Sequence, residues 1–170
     1  MKIAYGVILF TSILVSQAAD CAEAFLEAPG PHGPLKATLV MPDAGSGRQA
    51  PAVLIIPGSG PTDRDGNNPL GIKAATYRLL AEALAQRGLS TVRIDKRGMF
   101  ASGGAIPDAN NVTINDYAND VHAWIKVIKG KTGAPCVWAL GHSEGGLVAL
   151  AAAQNPDGLC GLILVSTPGR

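Results

Sequence analysis

The stretch Cys136-Val137-Trp138-Ala139-Leu140-Gly141-His142-Ser143-Glu144-Gly145-Gly146 decides the fold of this chain. Its apolar run, residues 137–140, predicts a buried strand, and the small residues from about 147 to 154 predict a helix. Between them, residues 141–145 fit the pattern G-x-S-x-G. In the order strand, sharp turn, helix, this pattern is typical of a nucleophile elbow, a strained turn that lifts a serine hydroxyl clear of the sheet. The sequence therefore predicts Ser143 as a nucleophile.

The residues next to Ser143 have predicted roles in this turn. Gly141 and Gly145 leave room for the turn to approach the neighbouring strand and helix. The N–H of Glu144, the first after the serine, is expected to point to where an oxyanion would form. A Gly-rich turn in which the serine only caps a helix is the alternative interpretation.

The composition is that of a single globular domain. The chain has 170 residues, of which 47% are hydrophobic and 16% charged, enough for one domain with a sizeable core. A net charge of +1, without a Lys/Arg cluster, argues against nucleic acid or an anionic membrane surface as partner. We expect no cofactor and no metal, and nothing in the sequence indicates an oligomeric state.

The N-terminal residues predict export. Residues 1–18 have a positive start, an apolar run of about 13 residues and a small-residue cleavage site after Ala18, as a signal peptide does. A second possible cleavage site follows Ala24. The apolar run is shorter than the roughly 20 residues of a spanning helix. We therefore expect residues 19–170 to be periplasmic or secreted, without a stable membrane span; a retained N-terminal membrane anchor is the alternative.

Export permits disulfides, because the compartments outside the cytoplasm are oxidising. Cys136 begins the strand before the elbow, and Cys160 begins the strand after the elbow helix. If these strands are parallel neighbours, both sulfur atoms lie at the same end of the sheet. We expect a disulfide between Cys136 and Cys160, with two buried free thiols as the alternative. Cys21 is then left over.

The rest of the chain alternates between strands and helices. Apolar and β-branched runs predict strands over residues 24–28, 35–40, 52–56, 90–94 and 161–165. The first two flank a Pro/Gly turn and predict an antiparallel hairpin. Apolar residues at helical spacing predict one helix over residues 74–87 and another that begins with a Thr113/Asp116 capping box. This order predicts an α/β fold with a mostly parallel sheet and helices on both faces.

A Gly-rich loop, Pro57-Gly58-Ser59-Gly60-Pro61-Thr62-Asp63-Arg64-Asp65-Gly66-Asn67, follows the strand over residues 52–56. Such a loop at the carboxyl end of a parallel strand is where α/β sheets bind ligands. It fits neither G-x-x-x-x-G-K-[ST] nor G-x-G-x-x-G, which argues against a phosphate loop. Gly58 and Gly60 could instead expose a backbone N–H. The N–H of Ser59 is predicted to be the second oxyanion donor.

Other polar residues have two interpretations each. Asp63, Arg64 and Asp65 form either a charged network that shapes the loop or solvated loop charges. His32 lies in the predicted hairpin turn, and His122 lies on a helix beside its buried stripe. Neither histidine is expected to act as a general base.

The chain resembles the N-terminal portion of an α/β-hydrolase, and more narrowly the esterase-like members known as serine aminopeptidase-type hydrolases. The resemblance rests on residues 57–67, on Asp95-Lys96-Arg97-Gly98 and on residues 141–146, in family order, and covers about residues 25–170. Pro57 stands where many members carry a histidine. The resemblance implies an α/β-hydrolase-type sheet. It also implies hydrolysis of small carboxylic esters, or of amides and short peptides, through an acyl-enzyme on the elbow serine.

One part of the family's catalytic machinery has no counterpart here. In this fold the triad follows the chain order Ser, Asp or Glu, His. No histidine follows Ser143, and Asp157 is the only carboxylate after Glu144. The side chain of His142 is expected to point away from the serine hydroxyl. We therefore expect a C-terminally truncated chain, inactive alone, with an incomplete sheet; a non-catalytic binding protein and an acyltransferase are the alternative functions.

Overall fold

Strands and helices alternate along the chain in the predicted order. The computed structural model describes residues 22–42 and 50–169, so the predicted signal peptide and Cys21 lie outside the described residues. The strands are β1 (Glu23–Ala28), β2 (Leu35–Val40), β3 (Ala52–Ile56), β4 (Ser90–Ile94), β5 (Val137–His142) and β6 (Leu159–Val165). The helices are α1 (Thr76–Ala85), α2 (Ile114–Thr132) and α3 (Glu144–Ala152), with a 3₁₀ turn over Phe100–Ala105.

The six strands form one sheet in the order β1-β2-β4-β3-β5-β6. Strands β1 and β2 form an antiparallel hairpin, β2 is antiparallel to β4, and the other neighbouring pairs are parallel. The predicted fold class is therefore confirmed. After β3 the chain continues outward to β4 and then crosses back to β5. The strand order thus reverses beside β3, which is where open α/β sheets bind ligands.

Helices cover both faces of the sheet. On one face, α2 and α3 bury Val121, Trp124 and Val148 against β3, β4 and β5. On the other face, α1 packs Tyr77 and its buried alanines against the opposite side of the same strands. Every residue of β3 is buried, as a strand with a helix layer on each side requires.

Two helices begin at residues other than those predicted. Helix α3 begins at Glu144, three residues before its predicted start. Its first turn contains Gly145 and Gly146, and because glycine has a low helix propensity, these residues did not indicate a helix in the sequence. Helix α1 begins at Thr76, two residues after its predicted start at residue 74. Ala75 has a φ of 49°, a left-handed conformation that is incompatible with a right-handed α-helix.

A capping box begins α2, as predicted. The Thr113 hydroxyl accepts a hydrogen bond from the Asp116 N–H at 3.2 Å, and the Asp116 carboxylate accepts from the Thr113 N–H at 2.9 Å. The two bonds satisfy N–H groups that have no partner within the helix. They determine where α2 starts.

A disulfide joins Cys136 and Cys160, whose Cα atoms are 5.2 Å apart. It connects the residue before β5 with the second residue of β6, at the end of the sheet opposite the elbow. Within the described ranges, no helix is long and apolar enough to cross a membrane.

Candidate active site

The turn between β5 and α3 has the backbone conformation of a strained elbow. Ser143 has φ 51° and ψ −120°, a region that residues other than glycine rarely occupy. Two glycines allow this turn. A Cβ atom on Gly141 would overlap the backbone of Gly145, and one on Gly145 would overlap the carbonyl oxygen of Ile56. The elbow therefore lies directly against the end of β3, and the Ser143 side chain is only half-buried.

The Gly-rich loop after β3, residues 57–67, lies next to this serine and is called the β3 loop below. A Cβ atom placed on Gly58 would be 3.2 Å from the Ser143 Cβ atom and 3.3 Å from the His142 Nδ1 atom. A cavity of about 230 Å³ opens here. Its lining comprises Gly58, Ser59, Thr62, Gly66, Asn68, Ile72, Thr76, Tyr77, His142 and Ser143. The fold thus brings the predicted nucleophile and the predicted oxyanion loop to one cavity.

Two backbone N–H groups near Ser143 differ from that of Gly58: one belongs to Ser59, which lines the cavity, and the other to Glu144, the residue after the serine. The Gly58 N–H donates to the Tyr77 hydroxyl oxygen at 3.4 Å. Among the residues that the structure describes, the N–H groups of Ser59 and Glu144 have no hydrogen-bond partner. The Glu144 N–H is the first of α3, where N–H groups lack partners within the helix and the dipole favours negative charge.

Lys96, at the end of β4, contacts both the β3 loop and the elbow. Its ammonium group donates to the Gly58 carbonyl at 2.7 Å and to the Glu144 carboxylate at 3.0 Å, and lies 5.2 Å from the centre of the Tyr117 ring. Only 3% of Lys96 is exposed. The Glu144 side chain is partly exposed and is held in this ion pair. The sequence singled out Asp95-Lys96-Arg97-Gly98 as a motif but assigned Lys96 no role.

Tyr77 and His142 form a second connection beside the elbow. The Tyr77 hydroxyl and the His142 Nδ1 atom are 2.8 Å apart and hydrogen-bonded. Burial raises the pKa of Tyr77 above its ordinary value of 10.0, so the phenol stays protonated at neutral pH. His142 lines the cavity with Ser143, but no hydrogen bond between them is present in the described part of the chain.

The charges of the β3 loop form a network, which decides between the two sequence interpretations. Arg64 donates to the Asp95 carboxylate from its Nε atom at 3.0 Å, its Nη2 atom at 2.6 Å and its backbone N–H at 2.9 Å. The Asp63 carboxylate accepts from the N–H groups of Asp65 and Asn67. The bonds of Arg64 attach the loop to the end of β4, and those of Asp63 hold the loop together.

His122, which was not expected to act as a general base, lies away from the cavity that Ser143 lines. His122 shares a cavity of about 290 Å³ with Asp157, Lys126 and Lys129, and this cavity does not include Ser143. Asp157 precedes β6 and Ser143 follows β5, which are parallel, so the two residues lie at opposite ends of the sheet. Six residues of strand separate these ends by roughly 20 Å. His122 is therefore too far away to accept a proton from Ser143.

A larger cavity, about 510 Å³, borders the site and shares Asn68 and Ile72 with it. Its lining is charged and includes Asp63, Asp65, Lys73 and Arg78. The smaller cavity is the candidate active site because it contains Ser143. No group of three or more His, Cys, Asp or Glu side chains that could hold a metal occurs in the described ranges.

Solved structures share this architecture. Dienelactone hydrolase from Anabaena variabilis superposes with a TM-score of 0.66 at 24% identity, over 86% of this chain and 64% of that one. A carboxyl esterase from Bacillus coagulans superposes with a TM-score of 0.67 at 22% identity, over 89% of this chain and 46% of that one. The fold, with its elbow between β5 and α3, is that of the α/β hydrolases.

The family follows from the sequence match. Residues 70–169, more than half of the chain, match the Hydrolase_4 family, described as serine aminopeptidase, S33, and the chain belongs to this family. The match contains Lys96 and the elbow but not residues 57–67. Esterase EstD of Thermotoga maritima is 26% identical over 124 residues, which are 71% of this chain and 27% of that esterase. The chain thus spans about a quarter of the length of this relative.

Proposed function

We propose that this chain supplies the nucleophile and the oxyanion site of a serine hydrolase that acts on small carboxylic esters. One observation carries the proposal. Ser143 occupies a strained turn and lines a cavity together with Ser59, and within the described ranges the N–H groups of Ser59 and of the adjacent Glu144 have no hydrogen-bond partner. Backbone donors held in place before the reaction are the usual means of stabilising the oxyanion of acyl transfer.

The proposed reaction proceeds in two steps on Ser143. The serine gives its proton to a general base as its oxygen attacks the ester carbonyl, and this proton later passes to the leaving alcohol. The carbonyl oxygen becomes an oxyanion that accepts hydrogen bonds from the Ser59 and Glu144 N–H groups. Collapse of the tetrahedral intermediate expels the alcohol, which takes up a proton, and leaves an acyl-enzyme. Attack by water on the acyl-enzyme then releases the acid and restores the serine.

The general base and its acid partner are proposed to come from residues outside this chain. A serine at its ordinary pKa is a weak nucleophile without an adjacent base. His122 lines a different cavity, with Asp157, and the Nδ1 atom of His142 is already bonded to Tyr77. We therefore expect little turnover from the 170 residues alone.

The proposed substrate is a small ester. The cavity of about 230 Å³ is smaller than the roughly 300–1,000 Å³ of drug-sized ligand sites, which favours a short acyl group. EstD is named an esterase, and this supports the same choice. The family description as serine aminopeptidase favours a second candidate, a short peptide or amide.

Export is part of the proposal. The apolar N-terminal run predicts a signal peptide, and the Cys136–Cys160 disulfide supports an oxidising compartment, where disulfides persist. Fractionation of the producing cells, with and without residues 1–18, tests it. Recovery of the mature protein from the cytoplasm would contradict export.

Labelling with a fluorescent fluorophosphonate tests the nucleophile. The probe is applied to residues 19–170 and to the full natural gene product, each beside Ser143→Ala and the control Ser166→Ala. Ser166 is a suitable control because it is exposed and also has a positive φ. We expect labelling of the full product that Ser143→Ala abolishes and Ser166→Ala leaves intact.

Substrate tests separate the remaining functions. p-Nitrophenyl acetate and an aminoacyl p-nitroanilide distinguish an esterase from an aminopeptidase, and an added acceptor alcohol reveals acyl transfer. Absence of both labelling and turnover in the full product would favour a non-catalytic binding protein instead.

A further inference from the structure

Lys96 connects the β3 loop to the residue after the nucleophile. Its ammonium group donates to the Gly58 carbonyl oxygen at 2.7 Å and to the Glu144 carboxylate at 3.0 Å. A buried ammonium is stable only when its donors are paired, and Lys96 is 3% exposed. Its position therefore depends on both contacts being made together.

Tyr77 makes the corresponding connection to the residue before the nucleophile. Its hydroxyl oxygen accepts from the Gly58 N–H at 3.4 Å, and the hydroxyl lies 2.8 Å from the His142 Nδ1 atom. In the His142 tautomer that carries its proton on Nε2, the Tyr77 hydroxyl donates its hydrogen to Nδ1. Tyr77 is 7% exposed, so water does not replace these bonds readily.

The two side chains therefore hold both polar groups of Gly58. A peptide unit is planar and trans, so the Gly58 carbonyl and the Ser59 N–H belong to one rigid plane and point in opposite directions. The bond from Lys96 to that carbonyl consequently sets the direction of the Ser59 N–H. Glycine has unusually free backbone dihedrals, and without this bond the plane could rotate.

We propose that Lys96 and Tyr77 are positioning residues: Lys96 orients the Gly58–Ser59 peptide through its carbonyl, and Tyr77 fixes the preceding Pro57–Gly58 peptide through its N–H, so that the Ser59 and Glu144 N–H groups converge on one oxyanion. This inference rests on the proposed function. The proposed function involves only the elbow and the β3 loop and gives Lys96 no role; this inference adds one.

Kinetics of the full natural gene product test the positioning role. Loss of one oxyanion donor lowers kcat by about 10²- to 10³-fold, and a misplacement of about 1 Å costs about 10²-fold. We expect Lys96→Met to lower kcat for p-nitrophenyl acetate by about 10²-fold, and Tyr77→Phe by about tenfold. KM should change less than about threefold, because the oxyanion exists only in the transition state and its intermediate.

A matched variant and a transition-state mimic sharpen this test. Lys126→Met removes an exposed lysine of α2 and is expected to leave kcat unchanged. Affinity for an alkyl boronic acid, which forms a tetrahedral adduct on the serine, should fall in Lys96→Met in parallel with kcat/KM. A change in KM alone, or an unchanged kcat in Lys96→Met, would overturn the inference.

A structural measurement on the full natural gene product decides the inference even if Ser143 is not a nucleophile. The residual dipolar coupling of the Ser59 N–H, measured by NMR, reports the direction of that bond. We expect it to change in Lys96→Met and not in Lys126→Met, while the couplings in α2 stay constant. Tyr77→Phe, which removes a single oxygen atom, should speed hydrogen exchange of the Gly58 N–H. Unchanged couplings and exchange rates would contradict the positioning role.

Discussion

Single residues set how closely the elbow approaches the sheet. The position of a Cβ atom on Gly145 is occupied by the carbonyl oxygens of Ile56 and Pro57. A backbone oxygen at the end of a buried strand moves only if the strand moves with it. The Ser143 hydroxyl therefore reaches the cavity because residue 145 has no side chain.

Replacement of this glycine is the first prediction. Gly145→Ala should lower the free energy of unfolding by about 1–3 kcal/mol, the usual cost of overpacking. The control is Gly130→Ala in α2, where the added Cβ has no described atom within 4 Å apart from the helix's own nearby backbone. It should raise the free energy of unfolding by up to about 1 kcal/mol, because alanine favours helix. Urea unfolding followed by circular dichroism measures both; equal effects would contradict the packing argument.

The Asp95 carboxylate is the second residue on which the site depends. It is 2% exposed and accepts three bonds from Arg64. Removal of one partner of a buried ion pair costs about 3–5 kcal/mol, so Asp95→Ala should lower the free energy of unfolding by about that much. Glu82→Ala, which removes an exposed partner 4.0 Å from Arg78, should cost less than about 1 kcal/mol. Comparable urea midpoints for the two variants would refute this prediction.

At the scale of elements, α2 has a well-defined start. Thr113 is exposed, so its effect on stability comes from the capping hydrogen bonds rather than from burial. Thr113→Ala should lower the free energy of unfolding by about 1 kcal/mol. Asn111→Ala, at an exposed position just before the helix, should have little effect. Thermal unfolding of both variants at neutral pH makes the comparison, and an equal loss in Asn111→Ala would argue against the cap.

The same cap has a pH dependence. Hydrogen bonds from the Thr113 side chain and N–H hold the pKa of Asp116 below its ordinary value of 3.8. A carboxyl group with a lowered folded pKa stabilises the fold above its unfolded pKa, and this contribution is lost as pH falls through the folded pKa. The stability difference between wild type and Asp116→Asn should therefore be larger at pH 7 than at pH 2. Denaturant unfolding at both pH values measures it; a difference that grows with acidity would have the wrong sign.

At the scale of the whole molecule, the disulfide joins the elbow strand to its neighbour. It closes a loop with a sequence separation of 24, for which chain entropy predicts about 3 kcal/mol of stabilisation. Cys136→Ala/Cys160→Ala should lower the free energy of unfolding by about that amount. Reductant should destabilise the wild type similarly and leave the double variant unaffected. A wild type insensitive to reductant would contradict the prediction.

The sequence by itself determined the features that depend on neighbouring residues. The strand, turn and helix around Ser143, the hairpin of β1 and β2, and the Thr113/Asp116 capping box all arise from local periodicity and backbone chemistry. The alternation of strands and helices then predicted the mostly parallel sheet. From that sheet followed the expectation that Cys136 and Cys160 meet.

Only the tertiary structure decided how these parts meet at the site. Lys96 bonds to residues 38 and 48 positions away along the chain, and Tyr77 bonds to one 65 positions away. Such contacts leave no periodic pattern in the sequence, because they depend on strand order and on the crossover that brings β3 between β4 and β5. From the sequence alone, the lysine after β4 has no assigned role and the tyrosine on α1 is an ordinary core residue. The structure shows that both contact Gly58.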